Sequence, residues 1–82
     1  MVILLAEDNI GVQFIAWQTL TEAGLTVLTA ADGQAALEKS RQHAGPIDIL
    51  LTDIDLPRLT GLELARILKQ ERPKIKNPFH IR

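Results

Sequence analysis

The stretch Ile47-Asp-Ile-Leu-Leu-Thr-Asp53 decides the fold. From Ile47 to Thr52 it is apolar at nearly every position, and it ends on an acid. That pattern reads as a strand buried on both faces of a parallel sheet. Earlier in the chain, Val2 to Ala6 has the same character and stops abruptly at Glu7-Asp8-Asn9. A third run, Thr26-Val-Leu-Thr-Ala30, is short and rich in β-branched residues, as strands are.

The intervening segments read as helices. Asn9 can cap one that runs to about Ala23, with Val12, Ile15, Ala16, Leu20 and Ala23 on one face of a 3.6-residue period. Gly24 stands where a left-handed C-cap is expected. Asp32-Gly33 reads as a turn, and Gln34 to about Gln42 as a second helix rich in good formers. Gly45-Pro46 breaks the chain before the third strand, and Pro57 lies in the loop after it. Thr60 caps a third helix, with Glu63 completing a capping box. This helix carries Leu62, Leu64, Ala65, Ile67 and Leu68 and stops before Pro73.

Strands alternating with helices through short connections predict an α/β fold, a parallel sheet with right-handed crossovers. Residues 73–82 do not continue the pattern. Lys74-Ile-Lys-Asn-Pro78 has no strand-like run, and Pro78 would block a central strand. An apolar strand such as 47–52 left with a free edge is an aggregation hazard. The sheet is therefore expected to be incomplete as written, through truncation, a frameshifted tail or edge pairing with another chain.

Composition narrows the function. The 82 residues are 46% apolar and 23% charged, ordinary for a soluble domain. The net charge of −1 gives no bulk attraction to nucleic acid or an anionic membrane. With no cysteine there is neither a disulfide framework nor a thiolate metal site, which fits a cytoplasmic setting. The opening apolar run is too short for a signal peptide, and no run approaches the length of a membrane span.

The acids at the strand ends carry the chemistry. In an open parallel sheet, ligands bind beyond the carboxyl ends of strands where the winding reverses. With strand order 2-1-3, Glu7, Asp8 and Asp53 would share one crevice. Three close carboxylates stay ionised most easily around a cation, and hard oxygen donors suit Mg²⁺. A carboxylate can also act as a nucleophile and form an aspartyl phosphate. Any one of these acids is accounted for by the attraction of acids to helix N-termini; the set is not.

Four motifs together resemble the receiver domain of two-component systems: Ile3-Leu-Leu-Ala-Glu-Asp-Asn9, Ala31-Asp-Gly-Gln-Ala-Ala-Leu37, Asp48-Ile-Leu-Leu-Thr-Asp-Ile-Asp-Leu-Pro57 and Gly61-Leu-Glu-Leu64. The resemblance covers residues 2 to 72 in register. It implies a flavodoxin-like, doubly wound sheet with three β-α units, a partial receiver over 1–72 and a non-matching tail over 73–82.

The resemblance also implies roles. Asp53 would accept phosphate from a phosphohistidine on a histidine kinase or phosphotransfer protein. Asp8 would ligate Mg²⁺ directly, Glu7 would help through water, and Asp55 would contribute its backbone carbonyl. Pro57 and Gly61 would shape the loop after the phosphorylated strand, and Ile10, Val12 and Phe14 would be candidates for partner docking. The family's hydroxyl residue after its fourth strand and lysine after its fifth have no counterpart. Lys74 and Lys76 lie in the wrong place to replace that lysine.

Other readings compete with this one. Asp53-Ile-Asp55 also resembles the D-x-D of haloacid-dehalogenase-type phosphohydrolases, but Leu56-Pro57 replaces that family's Gly-Thr, and Glu7-Asp8 goes unexplained. A degenerate receiver that only binds a partner is the third reading. Phe14 and Trp17 lie off the main apolar face of the first helix, either as scattered surface aromatics or as interface anchors. Neither His43 nor His80 has a second ligand at metal-site spacing. Gly11 and Gly24 do not form a dinucleotide-binding G-x-G-x-x-G.

Overall fold

A strand that is apolar at every position has no side to give to water, and β1 (Val2–Ala6) lies in the interior of the sheet. In the computed structural model, which describes residues 1–77 and the strand pairing of 80–81, β1 pairs in parallel with β2 (Thr26–Ala30) and β3 (Ile49–Asp53). The sheet order is β2-β1-β3-β4, with β4 the two-residue strand His80–Ile81. The expected 2-1-3 order and flavodoxin-like winding are present. Ile3 and Leu5 point to one face and Leu4 and Ala6 to the other, and all four are buried.

Three helices make the crossovers: α1 (Ile10–Glu22), α2 (Gly33–Gln42) and α3 (Gly61–Glu71). Each opens on a side-chain cap, which satisfies backbone N–H groups that the helix itself leaves free. Asn9 accepts from Val12 N–H, Asp32 accepts from Ala35 N–H, and Thr60 and Glu63 bond reciprocally as a capping box. Gly24 follows α1 with φ of +89°, the left-handed stop expected there. Gly33 is not a turn residue as read from sequence. It is the first residue of α2, and a side chain on it would collide with the Leu59 carbonyl.

The two sheet faces are covered unequally. α2 and α3 pack on each other and over the larger core of Leu4, Leu37, Leu50, Leu64 and Leu68. α1 alone lies over the other face, against Ile3, Leu5 and Leu51. The expected buried stripe of Val12, Ile15, Ala16, Leu20 and Ala23 is largely in water: only Ala16 and Leu20 pack on the core, and Ile15 is 64% exposed. A lone helix touches a sheet along a narrow line. Without a second helix beside it among the described residues, its flanking apolar positions stay uncovered.

The segment after α3 also departs from expectation. Read as strand-free, it adds to the sheet. Lys76 forms a parallel bridge with Ile49, through Leu50 N–H to Lys76 carbonyl and Lys76 N–H to Asp48 carbonyl. β4 then pairs in parallel with Thr52 and Asp53. A ladder needs only main-chain donors and acceptors, and β3 offered an edge, so no apolar run was required. Ile75 is buried in the larger core. Pro78, expected to block a strand, lies outside the described residues.

Arg72 locks the end of α3 to the end of α2. Its guanidinium donates to Ser40 Oγ at 2.8 Å and to the carbonyls of Ser40, His43 and Gly45 at 2.7, 2.9 and 2.6 Å. Carbonyls at and just past a helix C-terminus are short of donors, the Ser40 carbonyl meeting the His43 N–H at 3.3 Å, and a planar fork of N–H groups suits them. Among the described residues, no helix is long and apolar enough to cross a membrane.

Candidate functional site

Pairing of β1 with β3 sets Ala6 beside Thr52, so the next residues, Glu7 just past β1 and Asp53 at the end of β3, come side by side. Asp8 follows Glu7 before the first turn of α1. One carboxylate oxygen from each of Glu7, Asp8 and Asp53 lies within 4.8 Å of the others. Glu7 is only 3% exposed, Asp53 is half-buried and Asp8 is open to solvent.

The surroundings hold these groups in place. Asn9 N–H donates to Glu7 Oε2 at 3.0 Å, and Asp55 N–H donates to Asp53 Oδ1 at 3.2 Å. Burial pushes the Glu7 carboxyl above its ordinary value. A hydrogen bond with Asp8 and the charges of Asp53 and Asp8 add to the rise, while the Asn9 N–H opposes it. A buried acid among other acids is a site that favours a bound cation.

Of the residues singled out in the sequence, Glu7, Asp8 and Asp53 converge. The Asp55 carboxylate is exposed and outside the cluster; its main chain is what meets Asp53. Pro57 accepts from Leu59 N–H at 2.8 Å, closing a three-residue turn around Arg58, whose φ is +71°. Gly61 begins α3, and its N–H donates to the Ile54 carbonyl at 2.9 Å. Leu56, just before the turn around Arg58, is buried and anchors the loop to the larger core.

Ile10, Val12 and Phe14 are all exposed, Ile10 at 82%, and the Phe14 and Trp17 rings lie 5.9 Å apart. Ile10, Phe14 and Trp17 border a shallow hollow beside Thr29 of β2, and Val12 lies outside it. Sequence reading missed Gln13, which reaches back from α1 to the strand ends. Its signal was present: it is the sole polar side chain between Gly11 and Trp17. The pairing of Arg58 with Asp32 at 3.6 Å, across the two loops, was also missed.

The sequence pattern of the response regulator receiver domain matches residues 3–78. This chain belongs to the response regulator receiver domain family. The receiver protein CpdR of Brucella abortus (strain 2308) is 36% identical over 77 residues, covering 94% of this chain and 62% of CpdR. The sensor kinase CckA of the same organism is 36% identical over 77 residues, which span 94% of this receiver and 8% of the kinase. Among solved structures, the response regulator TrrA of Thermotoga maritima, in complex with Mg²⁺-BeF, superposes with a TM-score of 0.83 at 29% identity, covering 93% of this receiver and 64% of TrrA. The receiver described here thus spans less than two thirds of each of these relatives. The family match runs past Arg72 into the segment that bridges β3.

Proposed function

We propose that this receiver takes a phosphoryl group on Asp53 from a phosphohistidine of a histidine kinase or phosphotransfer protein, with Mg²⁺ in the acidic cluster. The observation that carries the reading is the convergence of Glu7, Asp8 and Asp53 at the carboxyl ends of adjacent strands. The donor set fits the ion: three hard carboxylates, of which Asp8 and Asp53 remain open enough for water to complete the shell. Asp8 is assigned as a direct ligand, Glu7 as a ligand through water, and Asp55 as a ligand through its carbonyl. A bound Mg²⁺ supplies neutralisation of the incoming phosphoryl oxygens.

The protein's own groups set up the transfer. Asp55 N–H holds one oxygen of Asp53, which leaves the other to attack phosphorus. The new P–O bond forms as the P–N bond to the donor imidazole breaks, and the imidazole leaves with the electron pair. Ile10, Val12 and Phe14, exposed in the first turns of the helix that follows Glu7 and Asp8, are assigned to docking of the donor protein. The chain acts as a phosphoacceptor, with no catalysis beyond its own phosphorylation and dephosphorylation. The phosphohydrolase reading leaves Glu7 and Asp8 of the cluster unexplained.

The test is the intact mass after incubation with an acyl phosphate donor. One added phosphoryl group with Mg²⁺, none with a chelator, and none on Asp53→Asn are expected. A wild-type protein with a dispersed NMR spectrum that takes no phosphate, yet still binds a cognate kinase as Asp53→Ala, would establish the binding-only reading instead.

A further inference from the structure

Helix α1 buries none of its residues, yet one of its side chains is bound into the edge of the acidic site. Gln13 Nε2 donates to the Glu7 carbonyl at 3.0 Å and to the Ala30 carbonyl at 3.2 Å. Glu7 N–H donates to the same Ala30 carbonyl at 3.0 Å. The ends of β1 and β2 and the first turns of α1 are thereby closed into one network. An amide nitrogen has two hydrogens, and both are used here. A glutamine also brings these donors without adding charge beside three carboxylates, which a lysine or glutamate could not do.

We infer that Gln13 is a positioning residue for the metal site: it fixes the main chain at Glu7, holds the Glu7 and Asp8 carboxylates against Asp53, and couples that site to α1. This rests on the reading of the cluster as a Mg²⁺ site. Groups that orient ligands matter to metal sites nearly as much as the ligands themselves.

The experiment is a titration with MgCl₂ followed by amide NMR, on the wild type and on Gln13→Met, which keeps the side-chain length and removes both donors. In the wild type, the Gln13 side-chain amide signals should move together with the Glu7 and Asp8 backbone amides, on one binding curve. In Gln13→Met the Kd for Mg²⁺ should rise about tenfold. A variant with an unchanged Kd and a lower metal-free melting temperature would show a merely structural role and overturn the inference, while the site reading would stand. Should Gln13→Met fail to fold, the wild-type titration decides: side-chain signals that stay still while Glu7 and Asp8 shift overturn it equally. No Mg²⁺-dependent shift anywhere in the wild type would bring down the site reading and the inference together.

Discussion

A side chain at Gly61 would run into the main-chain carbonyl of Asp53. The first residue of α3 lies against the last residue of β3, and the Gly61 N–H closes the loop onto the Ile54 carbonyl. The requirement is for space, since only Gly24 and Gly45 among the glycines have positive φ. Gly61→Ala should therefore cost about 1–3 kcal/mol through overpacking. It should also displace Asp53 and weaken Mg²⁺ binding. Denaturant unfolding and a metal titration check both, and a variant with wild-type values would show that the contact relaxes freely.

The raised pKa of Glu7 makes stability depend on pH and metal together. Its folded form holds a proton more tightly than the unfolded chain does, so its contribution is fully present below the ordinary glutamate value and is lost as pH rises through the higher folded one. In a chelator, the melting temperature should fall across that mildly acidic window. Mg²⁺ binds the ionised folded state and should reverse the fall above it. The exposed Glu71, held low by its hydrogen bond from Arg41, has the opposite sign: its small contribution is lost as pH falls. Melting curves across pH, with and without Mg²⁺, separate the two. A Mg²⁺ effect equal at all pH values would contradict the Glu7 account.

Phe14 is 59% exposed and stacks only on Trp17, so the fold gains little from it. Phe14→Ala should change stability by less than about 0.5 kcal/mol. Binding to a cognate phosphotransfer protein should weaken by more than about 1 kcal/mol, as for an aromatic anchor. Calorimetry on the pair reads this directly, and unchanged affinity would remove Phe14 from the docking surface.

Arg72 makes charge-assisted bonds to three carbonyls and one hydroxyl at the end of α2. Arg72→Ala should destabilise by about 2 kcal/mol, because the carbonyls and the Ser40 hydroxyl lose their charge-assisted bonds. Arg72→Lys should recover only part, since an ammonium cannot reproduce the planar fork. Equal stabilities for Lys and Arg at this position would show that charge alone matters.

Much of the fold was legible because it is written locally. Runs such as Val2–Ala6 and Ile49–Asp53 carry their burial in their own composition, and the caps at Asn9 and Thr60 act within one helical turn. The acids Glu7, Asp8 and Asp53 were visible as residues that end such runs. Gln13, Arg72 and the Lys76 bridge were not, because each joins positions far apart in sequence through atoms that no periodicity marks. The face of α1 was misread because hydrophobic spacing states which residues could be buried, while the neighbours present decide which are.

The sequence by itself determined the alternation of strands and helices, the parallel sheet and the placing of acids at strand ends. Residue chemistry at short range suffices for that, through side-chain periodicity, capping and chain breaks. Only the tertiary structure decided that Glu7, Asp8 and Asp53 meet within 4.8 Å, that Gly61 must be bare against Asp53, and that Gln13 is tied to the site. Those relationships depend on strand register and close packing, where an excluded ångström or a single N–H direction settles the outcome.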